Sequence, residues 1–138
     1  MRAAALLVLP LVSGVAFAAE QPFLFDVLRQ KSYHLAWEKL MKEVQPTPDW
    51  LLQFNKDYDG VSDQLTNVTV EGKPYEISYV CKPSDCAGHR FGVLFDQSGA
   101  HAVGALGGKN EPPEFFGKPS QAEQDQLVKA LKGDKSAS

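Results

Sequence analysis

The chain has 138 residues, 14 Lys or Arg against 17 Asp or Glu, and a formal net charge of −3. That length supports one hydrophobic core rather than two, and the ordinary apolar share argues against wholesale disorder. A mildly acidic balance also speaks against nucleic acid as a partner, because phosphate recognition calls for clustered Lys and Arg.

Met1 to Ala18 has the three parts of a secretory signal peptide. Arg2 supplies the positive start, Ala3 to Val15 is mostly apolar, and Ala16-Phe17-Ala18 is a small-x-small cleavage site. A membrane span needs about 20 apolar residues, and this run is shorter and interrupted by Pro10. Cleavage is expected after Ala18, with Ala19 as the neighbouring position. Removing 18 of the 138 residues leaves 120, and the loss of Arg2 takes the formal charge to −4. The mature chain is then expected to be a soluble single domain over residues 19–133, with a frayed tail at 134–138 and no membrane contact.

Phe25 to Val44 has helical spacing. Leu28, Leu35, Trp37, Leu40 and Met41 are expected mostly on one side, and Ser32 is a candidate cap for a second segment. Gln45-Pro46-Thr47-Pro48 stops the helix, since proline lacks a donor and restricts the residue before it. Thr47 as cap, Pro48 in the first turn and Asp49 at the positive end start a short helix through Trp50, Leu51, Leu52 and Phe54. Asn55 to Gly60 reads as a polar turn.

Strands are expected over Leu65–Val70 and Tyr75–Val80, joined by a tight turn at Glu71-Gly72-Lys73. Arg90–Phe95 is their partner, with Phe91, Val93 and Phe95 on one face. A turn at Asp96–Gly99 leads to a weaker strand, His101–Leu106. Gly107 to Pro119 reads as irregular, with Phe115 and Phe116 tucked in. Ser120-Gln121-Ala122-Glu123 has capping-box spacing and starts a helix through Leu127, Val128 and Leu131 that ends at Gly133. The expected class is α+β: a central antiparallel β-sheet, flanking helices and one protruding hairpin loop.

That loop holds the two cysteines, in Cys81-Lys82-Pro83-Ser84-Asp85-Cys86. Export to an oxidising compartment favours a disulfide between them. A six-residue ring contributes only about 2 kcal/mol to global stability in the loop-entropy account, so its main effect is on its own shape. Pro83 stiffens it further. Lys82, Ser84 and Asp85 are then polar groups on a preorganised frame, or else the feature is simply a stapled turn. Cys81, Cys86, His89 and His101 loosely mimic a zinc set, but His101 falls in a strand and oxidation competes with ligation. A redox pair would want two residues between the cysteines and a following helix.

Little supports catalysis. His34 and His101 stand alone; Ser84-Asp85 has no histidine fixed beside it, although His89 could be near, and His89, just past the ring, is expected to point away from the tip. Carboxylates are scattered, and Val103–Asn110 lacks the ends of a phosphate loop. Asn67-Val68-Thr69 matches the glycosylation triplet, which is common by chance. The expectation is a protein without enzymatic activity and without a cofactor or metal.

The run from Cys81 to Cys86 resembles the signature of the inhibitor of vertebrate lysozyme (Ivy) family, which carries His where this chain has Ser84. Pro48-Asp49-Trp50, Gly72-Lys73-Pro74-Tyr75 and the Arg90–Phe95 strand also look like that family. The resemblance implies a periplasmic α+β domain, able to form a homodimer, whose stapled loop plugs the active-site cleft of c-type lysozymes. The loop histidine meets two catalytic carboxylates there. Carried onto this chain, Cys81 and Cys86 are the staple, and Lys82, Pro83, Ser84 and Asp85 are the contacts. Ser84 has one hydroxyl donor and no charge. Inhibition of c-type lysozyme is therefore expected to be weakened, with lysozyme or a lytic transglycosylase as partner. The other reading is an exported protein-binding or chaperone-like module that keeps the hairpin without inhibiting.

Overall fold

The structure is a computed structural model that describes residues 8–11, 14 and 21–136. The expected cleavage positions at Ala18 and Ala19, most of the signal segment and the last two residues of the tail lie outside the described residues.

The first helical stretch is broken in two: α1 (Leu24–Val27) and α2 (Lys31–Met41). Leu24 and Leu28 are both fully buried, and Leu24 N donates to the Asp63 carbonyl while Leu65 N donates to that of Pro22. Those tethers to a distant segment fix the direction of α1 and force a bend before α2. Gln30, in extended conformation and without a side-chain capping bond, is the residue before α2. Ser32 lies inside the first turn and is not the cap. The buried stripe of α2 is Ala36, Trp37, Leu40 and Met41. Leu35 is the exception among the expected residues: it falls off that stripe and is 53% exposed.

The next helix, α3 (Asp49–Asp57), starts one residue later than expected and runs further. Thr47 donates its hydroxyl back to the Val44 carbonyl instead of capping, and extended Pro48 precedes the first turn. Asn55 to Asp57, read as a turn, complete the helix, which stops at Tyr58 in left-handed geometry.

Six strands follow among the described residues: β1 (Val61–Ser62), β2 (Thr66–Val70), β3 (Lys73–Cys81), β4 (Arg90–Asp96), β5 (Ala102–Gly108) and β6 (Glu111–Phe116). Their pairings are antiparallel, in the order β1-β3-β4-β5-β6, with β2 beside β3 as well. The segment read as irregular is thus the edge strand β6. Proline cannot donate to a ladder, so Pro112 and Pro113 hide the strand from a propensity reading yet are tolerated at a sheet edge. The last helix, α4 (Gln121–Leu131), has the expected capping box: Glu123 N donates to Ser120 Oγ, and Ser120 N donates to Glu123 Oε1.

Helices cover both faces of the sheet, which is why Phe91 to Phe95 are buried without a break. On one face Phe91, Val93 and Phe95 pack with Trp37, Leu40, Leu51 and Phe54. On the other, Ile77, Leu94 and Val103 meet Leu127, Ala130 and Leu131 of α4. Trp37 is 1% exposed, stands edge-on to Phe54 and Phe91, and donates Nε1–H to Asn55 Oδ1 at 2.8 Å. Trp37→Ala removes that packing and orphans the Asn55 acceptor. It is expected to lower unfolding free energy by about 3–5 kcal/mol in a urea titration.

The C-terminal segment is tied down as far as it is described. Lys135 Nζ lies 2.8 Å from Asp63 Oδ2 and donates to the Gln64 carbonyl, and Gln126 Nε2 donates to the Ser136 carbonyl. Burial alone would raise the Asp63 carboxyl, but Lys135, the Gln64 N–H and the Tyr79 hydroxyl outweigh it and hold it below the ordinary value of 3.8. A carboxyl more acidic folded than unfolded adds stability above its unfolded pKa, and that stability is lost as pH falls through the folded value. Lys135→Ala is therefore expected to cost about 0.5–1 kcal/mol at pH 7, with the gap from the parent narrowing below pH 4 in urea melts.

Candidate functional site

The β3–β4 register ends at Cys81 opposite Arg90, leaving Lys82–His89 as the connection. Cys81 is buried at the end of β3 and bonded to Cys86, with 4.8 Å between their Cα atoms. Lys82, Pro83, Ser84 and Asp85 are all exposed. Asp85 N donates to the Lys82 carbonyl, and Ser84 has φ +67°. Pro at the second position and a left-handed residue at the third is the pattern of a type II turn, which usually puts Gly or Asn where Ser84 stands. The tip is therefore set twice, by the disulfide and by the turn.

The base is held from several directions. Lys82 N donates to the His89 carbonyl, and His89 N donates to that of Asp85. Lys109 N, in the β5–β6 turn, donates to the Ala87 carbonyl at 2.9 Å. Gly108 lies so close to the loop that a Cβ there would sit 1.8 Å from the Gly88 oxygen. Arg90, the first residue after the loop, stacks over Tyr79 and donates Nη1–H to the Leu131 carbonyl at 3.1 Å, joining the site to the end of α4.

His89 faces two carboxylates, one from the ring of six and one from β6. Its Nε2 is 3.5 Å from Asp85 Oδ2 and its Nδ1 is 3.8 Å from Glu111 Oε1. On the other flank, a depression of about 210 Å³ is lined by Trp50, Phe54, Val61, Val80, Lys82 and Pro83. Two motifs singled out in the sequence, Pro48-Asp49-Trp50 and the cysteine hexapeptide, thus meet in space. The third, at Gly72–Tyr75, lies at the far end of β3, where Tyr75 pairs with Asp96.

The family model described as inhibitor of vertebrate lysozyme (Ivy) matches residues 32–136. The chain belongs to the Ivy family. It is 33% identical to the inhibitor of vertebrate lysozyme of Pseudomonas aeruginosa over 133 residues, 86% of this chain and 84% of that protein. An uncharacterised protein of the same organism is 28% identical over 146 residues, 94% and 92% of the two chains. An uncharacterised Yersinia pestis protein is 27% identical over 103 residues, 75% of this chain and 64% of that one.

In this Ivy domain the zinc alternative does not assemble. The cysteine sulfurs are bonded to each other, and His101 precedes β5 at the end of the sheet away from the loop. A second concavity, about 540 Å³ between α2 and α3, holds His34, Glu38 and Tyr58. His34 Nε2 is 3.1 Å from Glu38 Oε1, and its Nδ1 is 2.7 Å from the Tyr58 hydroxyl. Burial, with Glu38 adding and Arg29 opposing, pushes the Tyr58 hydroxyl above the usual tyrosine range. These groups satisfy one another, and among the described residues no serine or cysteine lines the groove. Nothing in the sequence marks Gly88 or Glu111, and Gly108 and Lys109 enter it only within the rejected Val103–Asn110 phosphate-loop run. The one signal for them was the glycine pair Gly107-Gly108 ahead of the β6 residues.

Proposed function

We propose that this Ivy domain is an exported, non-enzymatic inhibitor of lysozyme-type peptidoglycan-cleaving enzymes. In this reading the signal segment is cleaved and the mature domain works in the periplasm. The Cys81–Cys86 loop enters the target's active-site cleft, with Lys82, Pro83 and Ser84 as its leading contact residues. The observation that carries the reading is the exposed, doubly constrained tip at the end of the central strands of a chain belonging to this family.

The chemistry is consistent. Glycoside hydrolysis of this kind uses two carboxyl groups flanking the scissile bond, so the cleft is acidic. A rigid loop loses little entropy on docking, and Lys82 brings positive charge to the rim. Ser84 can donate to only one carboxylate oxygen, so c-type lysozyme is a poorly matched target and a lytic transglycosylase is a second candidate.

Inhibition assays against purified c-type lysozymes and lytic transglycosylases test this directly, beside a pull-down with the same enzymes. Dose-dependent inhibition of at least one, abolished by Cys81→Ser/Cys86→Ser, is the expected result. Absence of binding to all of them would leave the exported, non-inhibitory binding module as the better description. Size-exclusion chromatography of the mature chain tests the homodimer that the resemblance implies.

A further inference from the structure

We infer that His89 is a positioning residue for the loop, and that Asp85 is an inward strut of the loop rather than one of its outward contacts. The placement of the groups carries this. The Asp85 carboxylate folds back over Gly88, where a Cβ would stand 2.5 Å from Oδ1 and 2.7 Å from Oδ2. From there it faces His89 Nε2 at 3.5 Å, while the other ring nitrogen faces Glu111 Oε1 at 3.8 Å. The loop is thereby linked through one imidazole to β6, the strand that begins just after the Gly108-Lys109 seat.

The arrangement has a charge logic that rests on the proposed inhibitor reading. A free carboxylate at the tip would be repelled by an acidic cleft, because like charges brought together in a desolvated site are costly. Turning Asp85 toward His89 takes that charge off the leading surface and leaves Lys82, Pro83 and Ser84 in front. The charged side chains against the ring are Asp85 from the loop and Glu111 from β6. At 3.5 and 3.8 Å these are ion-pair separations rather than hydrogen bonds, so it is the imidazolium that is drawn to both carboxylates.

The first test needs no partner. In a pH titration followed by ¹H–¹⁵N NMR, the backbone amides of Ser84 and Asp85 are expected to shift together with the His89 ring signals. Asp85→Asn is expected to uncouple them. So is Gly88→Ala, which displaces the carboxylate without deleting either partner. Unchanged coupling in both variants would overturn the proposal. The second test is a double-mutant cycle on target binding. Asp85→Ala is expected to weaken binding about fivefold in the parent, the upper end for a half-exposed ion pair, and to have no effect on top of His89→Ala. Equal losses in both backgrounds would make Asp85 a direct contact and sink the strut. If no target binds at all, the inhibitor reading falls while the NMR result still decides the positioning.

Discussion

Ser84→His is expected to tighten inhibition of c-type lysozyme by about ten- to a hundredfold. The gain is that of a charge-assisted hydrogen bond in a desolvated cleft, about 1.5–3 kcal/mol. The backbone does not oppose the change. Ser84 sits at φ +67°, and histidine is among the non-glycine residues enriched in that left-handed region. The side chain there is exposed, so the larger ring meets no packing limit in the free protein. Ser84→Ala is the matching control and should change the inhibition constant little, since it deletes only a single neutral donor. The measurement is the inhibition constant of the three proteins in a cell-wall turbidity assay. An unchanged constant in Ser84→His would mean that the surface around the tip, Trp50 and Val61 included, no longer fits that cleft.

Gly108→Ala is expected to unseat the loop and lower global stability by about 1–3 kcal/mol, the usual range for overpacking a tight site. The added Cβ would stand 1.8 Å from the Gly88 carbonyl oxygen and 2.4 Å from its carbon. Both are backbone atoms, so no rotamer change relieves the clash, and β5 must move away from the loop. The Lys109–Ala87 hydrogen bond is then lost with it. Gly88→Ala is different in kind, because its Cβ meets only the movable end of the Asp85 side chain. Urea unfolding should separate the two variants clearly, and hydrogen exchange at the Lys109 amide should rise only in Gly108→Ala. Equal stability of the two would show that the loop does not depend on its seat.

The parts of the fold that were legible in the sequence are those specified by neighbours along the chain. The capping box of α4, the turn between β2 and β3, and the exposed hexapeptide all follow from residues within a few positions of one another. The failures have a common cause. The bend at Leu28–Gln30 follows from backbone bonds to Pro22 and Asp63, and nothing in the spacing of leucines encodes it. β6 exists because β5 offers it a partner, despite the two prolines that mark it as loop. The candidate site divides along the same line. Cys81 to Cys86 could be read directly, while its supports at Gly108, Lys109 and Glu111 come from more than 20 residues further on and meet it only through the sheet.

Those same two prolines bear on how such molecules behave at high concentration. An open sheet presents unpaired donors and acceptors at its margins, and extended margins are where chains template one another into polymers. Pro112 and Pro113 carry no N–H, and Glu111 and Glu114 place negative charges on the same short stretch. Two copies approaching through this margin find missing donors and mutual repulsion. The domain can thus hold its loop on a rigid sheet without turning that border into a seed for fibrils.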